Sequence, residues 1–66
     1  MELKEAIDIG RALGAKTIGD VVGVMSHLME FGLLRESDWQ EFWDQYVAWQ
    51  TTYEETFGAE FENCKI

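Results

Sequence analysis

Residues 37–58, SDWQEFWDQYVAWQTTYEETFG, decide the fold of this chain. A helix turns by roughly 100° per residue, and this spacing places the aromatic side chains of the segment along one face. The opposite face carries Glu41, Asp44 and Glu55 among small residues, and the segment contains no Lys or Arg. The pattern predicts a long helix that needs other helices to cover its aromatic stripe, which consists of Trp39, Phe42, Trp43, Tyr46, Trp49, Tyr53 and Phe57.

Two more amphipathic helices precede this segment. Residues 2–13 repeat apolar side chains at helical spacing and are followed by Gly14, which suits the left-handed position after a helix. A second helix is predicted over residues 17–31, because Thr17 and Asp20 resemble a capping box. Apolar residues cover roughly half of its circumference, so we expect it to be the central and most buried helix.

The boundaries of the third helix have their own signals. Gly32 is a natural stop for the second helix, and Ser37 with Gln40 forms the S-x-x-Q version of the capping box. These residues predict a third helix over 38–57 that ends before Gly58.

Short loops between consecutive helices favour antiparallel neighbours, so the sequence predicts an all-α fold, a three-helix bundle in a single domain over residues 1–66. The tail, residues 58–66, has no clear period and either docks through Phe61 and Ile66 or frays. Two pairs of glycines one turn apart predict close approach of backbones: Gly10 with Gly14, and Gly19 with Gly23.

The small size of the chain limits its stability. A core of this size seldom contributes more than about 3 to 5 kcal/mol, and such chains often add disulfides, a metal or a partner. Cys64 and His27 are the only residues of their types, which excludes an intrachain disulfide and a four-ligand zinc site. The first residues lack the pattern of a signal peptide and no apolar run is long enough to span a bilayer, so we expect a cytoplasmic protein.

The net charge of −8 is unevenly distributed. Residues 1–35 carry five acids against four bases, a balance of −1, whereas residues 36–66 carry eight acids against Lys65 alone, a balance of −7. Such a surface repels nucleic acid and anionic lipid and attracts basic surfaces.

Helix position separates the structural acids from the functional candidates. Asp38 and Glu41 lie in the first turn of the third helix, where the dipole favours negative charge. Glu54 and Glu55 lie in its last turn, where each acid costs about 0.3 to 1 kcal/mol. Further repulsion comes from Glu60 and Glu62 in the tail. Either these acids bind something positive or they only keep an aromatic protein soluble.

Other features give weaker indications. The aromatic stripe is either entirely core, or Trp39, Trp43 or Trp49 contacts a partner or a second copy. Asp38, Glu41 and Asp44 share a side of the helix, which is a weak carboxylate pattern for a metal. His27 lacks triad partners and Cys64 lacks an activating cation, so we expect neither catalysis nor a cofactor.

Residues 9–34, IGRALGAKTIGDVVGVMSHLMEFGLL, resemble the helix-turn-helix core of winged-helix DNA-binding domains in the RALG turn and the LMEFGLL ending. The resemblance implies that the helix beginning near Thr17 would enter the major groove. That helix carries Asp20 and Glu30 without Lys or Arg, and an aromatic helix stands where a wing hairpin would follow. We therefore do not expect direct binding to DNA.

These observations predict a small acidic binding protein without enzymatic activity. Its partner would be a second protein with a basic surface that binds nucleic acid, and this chain would occlude that surface. Phage anti-restriction and anti-CRISPR proteins, which act in the host cytoplasm, are the analogy, and it is an analogy of physical type. The alternative is an assembly module that forms a homodimer or larger assembly through the aromatic face of the third helix. The predicted partner-binding residues are Asp38, Glu41, Asp44, Glu54, Glu55, Glu60, Glu62, Trp39, Trp43 and Trp49.

Overall fold

The computed structural model describes all 66 residues and confirms the all-α three-helix bundle. Its elements in chain order are α1 (Leu3–Ala12), α2 (Ile18–Glu30), α3 (Glu36–Phe57) and a 3₁₀ turn (Phe61–Asn63). No strand forms, and a single antiparallel bridge pairs Thr17 with Lys65. None of the three helices combines the length and the apolar character that crossing a bilayer requires.

Nine hydrophobic side chains form the buried core, and α1, α2, α3 and the tail all contribute to it. Val21, Met25 and Phe42 are the largest that are fully buried. As expected of a central helix, α2 contacts α1, α3 and the 3₁₀ turn. The complete core is Leu3, Ala6, Ile18, Val21, Met25, Leu34, Phe42, Tyr46 and Phe61.

The expectation that the second helix is the most buried is confirmed only in part. In α2 three of 13 residues are buried, and the shorter α1 also buries three of its 10. Near the C-terminal end of α2, Met29 is 38% exposed and Phe31 is 74% exposed. The apolar residues of α2 extend around more of its circumference than its neighbours cover, so this end stays in contact with water.

The predicted capping box at the start of α2 is confirmed. Thr17 Oγ1 accepts a hydrogen bond from the Asp20 backbone N–H at 3.1 Å. In return, Asp20 Oδ2 accepts from the backbone N–H of Lys16 at 3.1 Å and of Thr17 at 3.2 Å. These backbone donors, that of Lys16 foremost, hold the pKa of the Asp20 carboxyl below its ordinary value of 3.8.

The predicted capping box at Ser37 and Gln40 is wrong. α3 begins at Glu36 with Arg35 as its N-cap residue, and no side chain caps it. Leu34 is buried, which fixes where the chain enters the helix and leaves Ser37 exposed inside the first turn. Gln40 Nε2 instead donates to Asp44 Oδ1 at 3.0 Å.

The end of α3 agrees with the prediction. Gly58 adopts a left-handed conformation with φ of 63°, which a residue with a Cβ adopts at a steric cost. Its N–H donates to the carbonyl oxygen of Glu54 at 2.8 Å, which satisfies one of the last carbonyls of the helix.

The tail docks and does not fray. Phe61 is 2% exposed, and its ring lies 5.6 Å from that of Tyr46 and 5.3 Å from that of Tyr53. Its backbone joins the segment before α2, since the Ile66 N–H donates to the Lys16 carbonyl at 3.1 Å. The tail therefore covers a part of α3 that neither α1 nor α2 covers.

Two of the four paired glycines permit close approach, as predicted. A Cβ at Gly10 would lie 2.9 Å from Val21 Cγ2, and one at Gly19 would lie 3.1 Å from the Glu62 carbonyl oxygen in the tail. Gly14 and Gly23 have open space around them, so they serve no packing role.

We expect Gly10→Ala and Gly23→Ala to change stability in opposite directions. Both glycines lie inside helices, where alanine gains about 0.5 to 1 kcal/mol. At Gly10 the added methyl meets fully buried Val21, and overpacking of about 1 to 3 kcal/mol exceeds that gain. Urea unfolding of both variants measures the difference; equal stabilisation by both would contradict close packing of α1 on α2.

The lowered pKa of Asp20 predicts a specific acid sensitivity. A carboxyl whose pKa is depressed on folding stabilises the protein above its unfolded pKa, near 3.8, and loses that effect as pH falls through the folded value. Asp20→Asn should therefore be less stable than the wild type near neutral pH, and the difference should vanish in acid. Thermal unfolding across this range measures it, with Asp44→Asn as the control.

Candidate functional site

α3 is much longer than the helices that pack on it. At about 1.5 Å per residue, its 22 residues span about 33 Å, against about 15 Å for α1 and about 20 Å for α2. From residue 47 to residue 57 every residue except Gln50 and Tyr53 is exposed. The C-terminal part of α3 thus projects beyond the bundle.

The aromatic stripe is divided between core and surface. Phe42 and Tyr46, in its middle, are buried, whereas Trp49 is 63% exposed and Phe57 is 67% exposed. At 100° per residue Trp49 lies about 80° from Trp39 around the helix, at the edge of the stripe, which explains its exposure. The rest of the stripe lies between these extremes: Trp39 and Tyr53 are half-buried and Trp43 is 38% exposed.

The projecting part of α3 carries a groove of about 260 Å³. The ring centroids of Tyr53 and Phe57 are 4.8 Å apart on one side of it. Because α1 and α2 end before this region, its apolar atoms face solvent. The groove is lined by Trp49, Thr52, Tyr53, Thr56 and Phe57, and we call it the distal groove.

The acids at the N-terminal end of α3 have partners within the fold. The amine of Met1 lies 2.9 Å from Glu41 Oε2 and 3.3 Å from Asp38 Oδ1. Asp38 also lies 3.6 Å from Arg35 Nε. The hydrogen bond to Glu41, with that to Asp38, raises the pKa of the amine above its ordinary 8.0. These two carboxylates hold the start of α1 against α3.

The acids at the C-terminal end of α3 and in the tail have no cationic partner. Glu54, Glu55, Glu60 and Glu62 are all exposed, and none forms an ion pair. Glu60 Oε2 accepts a hydrogen bond from Asn63 Nδ2 at 3.0 Å. Burial raises the pKa of the Tyr46 hydroxyl above 10.0, and the negative charges of Glu62 and Glu54 raise it further.

These four carboxylates, which we call the distal acids, lie on the same part of the chain as the distal groove. Glu54 and Glu55 lie between Trp49 and Phe57 in α3. The last turn of α3 contains no basic residue, so the helix dipole adds to the negative potential. The projecting end therefore combines exposed aromatic rings with uncompensated negative charge.

The residues considered for chemistry lie apart from this surface. His27 is exposed, with Nδ1 3.7 Å from Glu30 Oε2. Cys64 is half-buried in the tail, and its Sγ lies 3.8 Å from the Lys65 carbonyl oxygen. Asp38, Glu41 and Asp44 do not form a group of possible metal ligands.

A second groove of about 260 Å³ was not foreseen from the sequence. Two unpaired cations, Arg11 and Lys65, line it beside apolar side chains of α1, α2 and the tail. Trp49 also lines it, so this ring separates the two grooves. The groove could not be read from the sequence because its residues lie far apart along the chain and are brought together by folding. They are Leu3, Ile7, Arg11, Ile18, Trp49, Phe61, Cys64, Lys65 and Ile66.

Two long-range contacts at the N-terminus also have no signal in the sequence. The Met1 amine contacts acids that follow it by 37 and 40 positions. The Leu3 N–H donates to Gln45 Oε1 at 2.7 Å, which caps α1 from a neighbouring helix, since Glu2 makes no side-chain cap.

Comparison with known proteins adds no relative: no protein-family model, curated protein or solved structure matches this chain. The resemblance to winged-helix domains does not extend to the fold, because the chain forms no strand and α3 follows α2 in place of a wing. The surface of α3 and the tail is therefore the basis from which a function can be inferred.

The contact of the Met1 amine predicts a loss of stability in alkali. A cation whose pKa is raised on folding stabilises the protein below its unfolded pKa, near 8.0, and loses that effect as pH rises through the folded value. Asp38→Asn with Glu41→Gln should remove this pH dependence. The melting temperature measured from neutral to alkaline pH tests it, with Asp44→Asn and Glu55→Gln as a control of equal charge; unchanged alkaline sensitivity would contradict the contact.

Proposed function

We propose that this protein is a non-enzymatic binding protein that occupies a basic, nucleic-acid-binding surface of another protein and thereby blocks it. The observation that carries the proposal is the set of distal acids, Glu54, Glu55, Glu60 and Glu62, which are exposed and have no ion pair within the fold. Folding gains nothing from acids at the negative end of a helix dipole, so their position favours a role in binding.

The remaining acids of the predicted binding set contribute differently. Asp38 and Glu41 hold the Met1 amine, and Asp44 accepts a hydrogen bond from Gln40. They add to the long-range field of α3 while making contacts within the protein. In the proposed mechanism all seven acids steer the encounter, and the distal acids then form the contact.

Competition with nucleic acid explains how such a protein inhibits. A surface that binds phosphates presents Lys and Arg, and the exposed carboxylates of α3 and the tail offer these cations an alternative partner. We propose a phage-encoded inhibitor in the host cytoplasm as the biological setting, on the analogy of anti-restriction and anti-CRISPR proteins. The small size and one-sided acidity of the chain support this analogy.

Self-association through the aromatic face of α3 is the second candidate function. The exposed Trp43, Trp49 and Phe57 favour it, since large exposed apolar side chains mark contact surfaces. Repulsion between the acidic faces of two copies opposes it. Sedimentation at increasing protein concentration distinguishes the two functions, because only self-association produces a concentration-dependent dimer.

Charge reversal tests the proposed function. The protein is immobilised and incubated with nuclease-treated bacterial lysate, and bound proteins are eluted with increasing salt. We expect basic nucleic-acid-binding proteins to elute as salt weakens the contact, and labelled DNA to be displaced from them by the free protein. Glu54→Lys with Glu55→Lys should weaken this binding at least about tenfold, or about 1.4 kcal/mol.

A control variant separates local charge from net charge. Asp8→Lys with Glu30→Lys changes the net charge by the same amount at exposed positions on α1 and α2. It should retain most of the binding, and circular dichroism should show equal helicity for both variants. Equal affinity of the wild type and the Glu54/Glu55 variant would rule out the proposed function.

A further inference from the structure

We propose that the second groove, between α1, the start of α2 and the tail, binds a small amphiphilic carboxylate. The carboxylate group lies at Arg11 and Lys65, and the alkyl chain lies along the apolar walls. We call this surface the cationic groove. The inference concerns a different surface from the distal acids and does not depend on the proposed function.

The charged residues of the cationic groove differ in sign from those on most of the protein. The chain has 13 Asp and Glu residues against five Lys and Arg residues, yet no acid lines the groove and two of the five bases do. Neither Arg11 nor Lys65 forms an ion pair, so both cations are free to bind an anion. Charge complementarity therefore favours an anionic ligand at this position.

Folding places the two cations at the same end of the groove. Arg11 lies in the last turn of α1, and the bridge between Lys65 and Thr17 lies where the chain enters α2. The Ile18 N–H donates to the carbonyl oxygen of Cys64 at 3.0 Å, which holds the tail in place beside Lys65. The docked tail thus brings a second cation to the end of α1.

The walls of the groove suit an alkyl chain. Seven of its nine lining residues are hydrophobic. Leu3, Ile7 and Arg11 are spaced four residues apart and follow one side of α1 for about 12 Å, at about 1.5 Å per residue. Apolar side chains therefore extend away from the cationic end, as in ligand sites where a few polar groups orient a mainly apolar ligand.

The size of the groove and the net charge of the protein restrict the ligand to a small monoanion. The groove has a volume of about 260 Å³, just below the range of about 300 to 1,000 Å³ for pockets that hold drug-sized ligands. A nucleic acid or an anionic membrane carries many charges, and the net charge of −8 repels it. A single carboxylate meets two cations and experiences little of this repulsion. The occupant is therefore a free carboxylic acid with a short alkyl chain, such as octanoate.

Titration with octanoate below its micellar concentration, followed by NMR of the backbone amides, tests the proposal. We expect shifts to change at the residues that line the groove and not in the connection between α2 and α3, residues 31–35. Hexanoate should bind at least about tenfold more weakly, because each buried methylene changes affinity about fourfold. Octanol and octylammonium keep the alkyl chain without the negative charge, and they should bind these residues at least about tenfold more weakly than octanoate.

Matched variants locate the carboxylate. Arg11→Gln with Lys65→Gln should weaken octanoate binding at least about tenfold, because both cations at the groove are lost. Lys4→Gln with Arg35→Gln is the control, since it removes the same charge outside the groove and should retain most of the binding. All four side chains are exposed, so both variants should fold, which circular dichroism verifies.

The other outcomes overturn the inference. They are the absence of octanoate-dependent shifts at the groove, equal binding of octanol, and equal affinity of the wild type and the Arg11/Lys65 variant. Binding of anionic phospholipid vesicles through the same residues would also overturn it, because the groove would then contact a membrane surface. The lysate and DNA-displacement measurements depend on Glu54 and Glu55, so they decide the proposed function separately.

Discussion

The burial of Phe42 and Tyr46 in the middle of α3 is the interaction on which the rest of the structure depends. Two short helices rich in small residues cannot cover seven aromatic residues along 22 positions, so they cover the middle. Gly10 lets α1 pack closely on α2 at Val21, and Phe61 in the tail covers the part of Tyr46 and Tyr53 that the helices leave open. The tail is therefore a fourth element of the core, which the three helices alone do not complete.

The difference in helix length gives the protein two distinct ends. At the N-terminal end of α3, acids meet the Met1 amine and Arg35, so the charge there is used within the fold. At the other end, acids share the projecting part of α3 and the tail with exposed rings and meet no cation. Identical side chains thus stabilise the protein at one end and remain available for a partner at the other.

Local signals predicted most of the fold, because each lies within one helical turn. The Thr17–Asp20 capping box and the glycine that ends α3 are examples, since both depend on neighbouring backbone groups. The start of α3 could not be predicted this way, because burial of Leu34 overrides the capping preference of Ser37. The sequence likewise predicted an acidic surface. It did not predict which acids are paired within the fold, because the Met1 amine contacts acids that follow it by 37 and 40 positions.

The bridge between Thr17 and Lys65 joins positions 48 residues apart, whereas the contacts that shape each helix are local. Closing so long a loop carries a larger entropic cost than forming a helical turn. We therefore expect the tail to dock only after α2 has formed. We therefore expect the C-terminal segment to dock after the helices during folding and to open locally before they do. Opening of these nine residues would expose to water the parts of Tyr46 and Tyr53 that Phe61 covers.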